Sequence, residues 1–201
     1  MMDSAAAPAA PSPVPVTPAR FREGAGRLCL DFIRTLRYRD TAEQTEELAD
    51  PEDLAAWVRQ FGADPDQAVP LPETEQVKDA RAVREAVYTL VTSAMSGRQV
   101  GSAAREQLNR AAAAPVPVPR LGASGTVAWA AEAPVTATLS LVARDALDLA
   151  TSPALLARIR PCASPTCGAL FLDHSRPGTR RWCSMDTCGN RAKKAGLKAR
   201  T

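Results

Sequence analysis

Along most of this chain, apolar residues recur at three- and four-residue steps, the spacing that places them on one side of an α-helix. Leu28, Cys29, Phe32, Ile33 and Leu36 predict a first core helix within Arg27 to Tyr38. A second helix is expected where Asp50 can cap, Pro51 suits the first turn, and Glu52 and Asp53 meet the positive helix end. Its buried stripe is Leu54, Trp57, Val58 and Phe61, and Gly62 stops it. The longest pattern runs from Glu73 to Ser96, with Val77, Ala80, Val83, Val87, Leu90 and Val91 on one face and Gly97 as the terminator. Ser102 can cap a further helix reaching Ala113. Thr138 to Ala150 gives the last long helix, and Ser152 and Pro153 open one more turn.

The pattern changes twice. Prolines alternate with valines from Pro115 to Pro119, which forbids helix there, and Gly125 to Ala131 then reads as a strand able to pair with the 119–123 region. Beyond Arg160 the periodicity gives way to polar loops, where Ala169 to Leu172 suggests a strand forming a hairpin with Ala157 to Arg160. The expected fold is mainly α with a small β element, an α+β domain over residues 21–157, followed by a separate module over 158–201. Residues 1–20, rich in Ala and Pro, read as a disordered tail without the basic start and apolar run of a secretory signal. No run of about 18 apolar residues is present to span a membrane, so the expected compartment is the cytoplasm, where thiols stay reduced.

Composition sharpens this in two ways. Aromatics make up only 4% of a chain that is 45% apolar, so the core must be built mostly from Ala, Leu and Val. The net charge of +3 hides an asymmetry: residues 158–201 hold ten Arg or Lys against two Asp, a formal +8, leaving 15 basic against 20 acidic groups before them, a formal −5. A basic end of this kind suits a polyanion, and equally a solubilising tail.

Cysteines supply the strongest chemical signal. Cys162, Cys167, Cys183 and Cys188 form C-x4-C, fifteen intervening residues, then C-x4-C. Structural zinc takes four soft ligands in a tetrahedron, and two local pairs are a simple way for a chain to present them. Pro161 and Pro165 stiffen the first loop, and the segment is too polar to hold itself together by burial alone. The other reading is a small cluster of reduced thiols. Cys29 lies on an apolar helix face and reads as a core residue. His174, the sole histidine, fits a solvent-facing loop or a nucleic-acid contact better than a fifth ligand.

Around these ligands the sequence becomes recognisable. Trp182-Cys183-Ser184-Met185-Asp186-Thr187-Cys188-Gly189-Asn190-Arg191-Ala192-Lys193, with Phe171, Asp173, Ser175, Arg176 and the pair Arg180-Arg181 upstream, resembles the signature of the bacterial CGNR zinc-finger family. Leu28 to Leu36 (LCLDFIRTL) resembles the start of the ABATE domain that usually precedes this finger. The resemblance implies stress-induced transcription regulation. Arg34 stands where the family more often has Asn, and His174 where a small hydroxyl residue is usual; neither departure removes a metal ligand.

The working expectation is a treble-clef-like finger holding one structural zinc, with a basic helix starting at Cys188. Arg191, Lys194 and Lys198 share one face, Lys193 and Arg200 flank it, and Arg180 and Arg181 precede it. Asn190 counts with these cations among the expected nucleic-acid contacts or would cap or bond backbone or thiolate, and Trp182 would fill the finger's small core or stack on a base. With one zinc on four thiolates the module keeps roughly +6, enough for several phosphate contacts. DNA is the expected partner; a zinc-stabilised protein–protein interaction module is the alternative, and RNA binding lacks the interleaved aromatics that base-stacking readers use. An enzyme is not expected, because no Gly-rich phosphate loop or Ser–His–Asp set exists and four thiolates leave zinc no open position. Glu46-Glu47, Glu52-Asp53, Glu73 and Glu75 read as solvated acids at helix starts. A homodimer and a small-molecule effector are both compatible with the chain, but no residue pattern in 21–157 marks a pocket.

Overall fold

The computed structural model describes residues 20–64, 68–123 and 125–198, so most of the Ala/Pro-rich stretch read as disordered lies outside the described residues. Seven helices and three two-stranded antiparallel ribbons are found among them. The helices are α1 (Leu28–Ile33), α2 (Pro51–Phe61), α3 (Thr74–Met95), α4 (Ser102–Ala113), α5 (Pro134–Thr151), α6 (Pro153–Leu156) and α7 (Asn190–Lys198). The ribbons pair β1 (Leu36–Arg37) with β2 (Thr45–Glu46), β3 (Val118–Leu121) with β4 (Val127–Ala130), and β5 (Ile159–Pro161) with β6 (Leu170–Leu172).

Helices α3, α4 and α5 pack against one another, and α1 and α2 lean on α3 and α5. The stripe expected on α3 is largely buried, with Ala80, Val87 and Val91 fully so and Leu90 only half-buried. Helix α2 begins as its sequence predicts: Asp50 accepts a hydrogen bond from the Asp53 N–H at 2.9 Å and Pro51 occupies the first turn, an arrangement worth about 1 kcal/mol. Trp57 is fully buried between Phe32 (4.7 Å between centroids, tilted) and Phe61 (4.8 Å, stacked). The strand expected over 125–131 pairs with the proline-bearing strand before it, Pro119 opposite Trp129.

Three local expectations need correction. The first helix does not reach Tyr38: it ends at Ile33, and Leu36–Arg37 instead pair with Thr45–Glu46. Tyr38 and Asp40 sit at positive φ (52° and 60°), a conformation no helix continues through. Ser102 is the first residue of α4 rather than its cap; Gly101 takes the cap position with no side-chain bond. Glu46 is not a solvated acid, because it accepts both ends of the buried Arg84 guanidinium, at 2.6 and 2.7 Å. Asp53 is likewise buried, accepting from the Ala49 N–H at 2.8 Å.

One apolar core runs through both halves of the chain. Ile159, Leu170, Phe171 and Leu172 belong to the same buried cluster as Phe32, Val87 and Leu149, and so do the four paired cysteines. The junction is close: the Leu172 N–H donates to the Ala25 carbonyl at 2.7 Å. Gly26 lies there at φ +91°, where an added Cβ would stand 3.1 Å from the Leu172 carbonyl oxygen and Cβ. Glycine is needed for both reasons.

Candidate metal centre and its basic face

The hairpin β5–β6 carries the first cysteine pair. Cys162 follows β5, and its N–H donates to the Ala169 carbonyl at 2.8 Å, extending the ladder into the loop. The Cys167 N–H turns back to the Ser164 carbonyl at 3.1 Å, and Gly168 closes the loop at φ +61°. The second pair arrives on the other side. Ala163 donates to the Arg181 carbonyl at 2.8 Å, which brings Cys183 alongside, and the Cys183 N–H points at the Cys162 sulfur at 3.4 Å. Cys188 lies in a π-helical turn, Met185–Gly189, which runs directly into α7; Ser184 starts the turn by accepting from the Thr187 N–H at 3.3 Å.

All four sulfurs lie within 4.8 Å of one another, and all four residues are buried. Cys167 Sγ is 3.6 Å from Cys183 Sγ, which is 3.8 Å from Cys188 Sγ. A tetrahedron with zinc–sulfur bonds of about 2.3 Å has edges of about 3.8 Å, so the thiols already stand at zinc-binding separations. The donor set is all sulfur and closed, which suits one structural zinc. A hairpin holding one ligand pair and a helix following the other is the treble-clef-like arrangement.

Crowding divides the thiols. The S–H of Cys183 stabilises the Cys167 thiolate and holds its pKa down to about 5. Cys183 is driven well above the ordinary thiol range, first by that same bond and then by burial. Burial and the Cys167 charge push Cys188 up to about 11. Zinc supplies the positive charge that lets all four ionise.

Asp173, fully buried just after β6, organises the chain between the pairs. It accepts from the backbone N–H groups of Ser175 and Arg180, each at 2.9 Å. The Ser175 side chain first, and then these amides, hold its carboxyl below the usual range. Arg158 locks the same loop, donating to the Asp173 and Ser175 carbonyls at 2.6 Å each. The sequence shows this aspartate only as part of a family pattern, and an isolated acid in a basic module is the signal of its role.

The predicted basic residues divide into two sets. Arg180 is half-buried and tied to its own finger: its guanidinium lies 4.6 Å over the Phe171 ring and donates to the carbonyls of Trp182 (2.9 Å) and Cys183. These contacts tie it to the fold. Arg181, Arg191, Lys193 and Lys194 are exposed beside the metal centre. Arg181 stacks 5.0 Å over Trp182, which is half-buried against the core, so the tryptophan takes its core role. Asn190 donates to the Asp186 carbonyl at 3.1 Å, a backbone role. The Lys198 side chain and Arg200 lie outside the described residues. His174 is exposed, with Nε2 at 3.3 Å from the Gly26 carbonyl, and Cys29 is a buried core residue away from the four sulfurs. Arg34, read from sequence only as a departure from the family pattern, is buried and bonded to Asp31 at 3.0 Å.

Two family models match the chain. The CGNR zinc finger matches residues 158–201. ABATE, described as "putative stress-induced transcription regulator", matches residues 26–153. No curated protein matches the chain. Among the described residues no helix is long and apolar enough to cross a membrane. Since the second of the two family matches spans well over half of its length and ends just before the metal-binding hairpin, the chain belongs to the ABATE family and carries a C-terminal CGNR zinc finger.

Proposed function

We propose that this protein is a zinc-dependent DNA-binding transcription regulator of bacterial type that contacts nucleic acid through the basic face beside its metal centre. One observation carries the reading: Arg181, Arg191, Lys193 and Lys194 are exposed together on and before α7, next to a site that fixes where this helix starts. Phosphate contacts need cations that are exposed and rigidly placed, and a metal-anchored helix places them. The family description adds the regulatory role. The protein acts in the reducing cytoplasm, where the cysteines stay available for zinc, and no catalysis is assigned to it. A homodimer would present two such helices to paired half-sites.

The test is a fluorescence-anisotropy titration of the zinc-loaded full chain with duplex DNA across salt concentrations. Log affinity should fall linearly with log salt, with a slope near −0.9 per phosphate contact, so about −3 to −4 for four contacts. Absence of binding with zinc loaded, or binding indifferent to salt, overturns the proposal.

A second reading, a zinc-stabilised protein–protein interaction module, draws on the hairpin β3–β4. Val118, Leu121, Val127 and Trp129 are exposed there, an apolar surface larger than a lone exposed side chain would give. If duplex DNA is not bound and Trp129→Ser abolishes association with a protein partner, the second reading replaces the first.

A further inference from the structure

Residues 20–39 hold six arginines, although the region before the finger is acidic overall. Four of them, Arg22, Arg34, Arg37 and Arg39, line one cavity between the end of β1 and the loop after Cys167, with Gly168 and Ala169 forming the finger's side of it. We propose that this cavity is a binding site for a small oxyanion, the phosphate or carboxylate end of a low-molecular-weight ligand, gripped by Arg34 and Arg37 and rimmed by Arg22.

Unused hydrogen-bonding capacity is the first argument. Arg34 has a side chain only 4% exposed. Its Nη1 donates to Asp31 Oδ1 at 3.0 Å and the Glu23 carbonyl at 3.3 Å, whereas its buried Nη2 has no partner. Arg37 donates through Nη1 to Glu47 and through Nη2 to the Tyr38 hydroxyl, both at 2.9 Å, and its buried Nε has none. Among the described residues, four buried side-chain polar atoms lack a partner, and two of them belong to this one cavity. A buried charged donor without an acceptor is costly, and buried polar groups in folded proteins are nearly all paired. An oxyanion supplies several acceptors at once and matches the planar donor fork of arginine.

Charge is the second argument. Arg39 is matched by Glu85, at 2.6 and 3.1 Å, and Arg37 by Glu47. Arg34 is paired with Asp31 at 3.0 Å. Arg22 makes no ion pair with a carboxylate among the described residues, and Arg191 of α7 adds a further guanidinium at Tyr38. The site therefore holds an excess of positive charge at the seam between the ABATE domain and the finger.

Size narrows the ligand. The cavity measures about 20 Å³, little more than one water needs, so it accepts the oxygens of a terminal anionic group rather than a whole molecule. A duplex backbone is too large to enter a space of this size, which leaves a small ligand as the source of the anion.

Calorimetric titration of the zinc-loaded full chain with inorganic phosphate, and separately with acetate, at constant ionic strength against chloride tests the site. Saturable binding of at least one oxyanion is expected, with the Arg37 Nε–Hε resonance shifting along the same isotherm. Saturation by phosphate alone assigns a phosphoryl group, and by acetate alone a carboxylate; both support the site. Arg34→Gln and Arg22→Gln should each weaken binding about tenfold or more, the effect of losing one charged hydrogen-bond partner. Arg22 lies at the half-exposed rim, so its variant keeps the test valid if Arg34→Gln impairs folding. Neither anion saturating beyond the chloride control, or wild-type affinity in a folded Arg22→Gln, overturns the proposal and leaves the cavity to water.

Discussion

The helical domain and the finger are stabilised in different ways, although they share one core. In the first, long helices bury aliphatic side chains completely: Val87 and Val91 on α3, Val142, Ala146 and Leu149 on α5. Fully burying a valine or leucine contributes about 1.5–3 kcal/mol, so this domain needs no staple. The finger has three-residue strands and a nine-residue helix, whose described side chains are mostly exposed. Its buried apolar residues, Ile159 and Leu170 to Leu172, face the other domain's core rather than a core of their own. Zinc thus shapes the loops of the finger, and β6 fixes where that shape is attached. A module that is weak alone becomes a rigid extension of its neighbour.

The sharpest way to break this comparison is to remove the metal. Cys183→Ser takes a sulfur from the centre of the cluster, 3.6 and 3.8 Å from two others. Structural zinc contributes an apparent 10–16 kcal/mol or so in isolated fingers, so the loss should unfold the loops at 162–169 and 173–190 locally while β6 stays in the shared core. Zinc content measured by atomic absorption should fall from one per chain to none, while the α3–α5 helical signal in circular dichroism persists. Loss of that helical signal as well would show that the helical domain also depends on the metal.

Phe171→Ala attacks the attachment instead. This ring is fully buried in the shared core, under the Arg180 guanidinium. The substitution should cost about 3–5 kcal/mol. Because the core is shared, heat should release zinc and melt the helices in one transition, at a lower temperature than in the unaltered protein. Two separated transitions would mean that the finger unfolds independently and the shared core contributes little.

Features that depend on neighbours in sequence were legible before the structure. Asp50 and Pro51 marked a helix start, the spacing of Val77 to Val91 marked the longest helix, and four cysteines with two similar loops marked the metal site. What failed depended on partners far along the chain. Helical spacing in Arg27 to Tyr38 could not show that Leu36–Arg37 would pair with Thr45–Glu46. Glu46 reads as solvated until Arg84, distant in sequence, is seen to bind it. Arg180 counted as a free cation because charge is visible in sequence, whereas the carbonyls and ring that occupy it are not. Arg34, Arg37 and Arg39 lie close together in sequence, but only folding brings the Cys167 loop across them.

Acid separates the two regions more gently. Zinc binding requires thiolates, and in the metal-free cluster Cys183 and Cys188 hold their protons at neutral pH because their pKa values are raised. At least two protons should therefore leave per zinc bound, measurable by calorimetry in buffers of different ionisation enthalpy. Affinity should fall about a hundredfold for each pH unit lowered, at about 1.4 kcal/mol per proton. In the helical domain, burial opposes the ionised form of Glu85, but hydrogen bonds from Arg39 and Arg84 outweigh it and lower its pKa. A lowered pKa gives stability that is present above the ordinary carboxyl value and lost as pH falls through the folded one. Zinc release should precede loss of the helical domain as pH falls; the reverse order would contradict the assignment of roles.

The smallest expected effect concerns the cations themselves. Arg180 and Lys193 carry the same charge and stand near the same metal, but one is half-buried with its donors on carbonyls and the other is exposed. If phosphate binding uses free cations, Lys193→Gln should leave thermal stability unchanged within about 0.5 kcal/mol. It should also make the slope of log affinity against log salt shallower by about 0.9. Arg180→Gln should do the opposite, lowering the temperature of zinc release while leaving the slope of the still-folded protein nearly unchanged. Equal slopes in wild type and Lys193→Gln would remove Lys193 from the contact surface. A shallower slope in a fully stable Arg180→Gln would mean that its bonds to Trp182 and Cys183 open to meet DNA, so that the division between cations that build the finger and cations that contact nucleic acid does not hold.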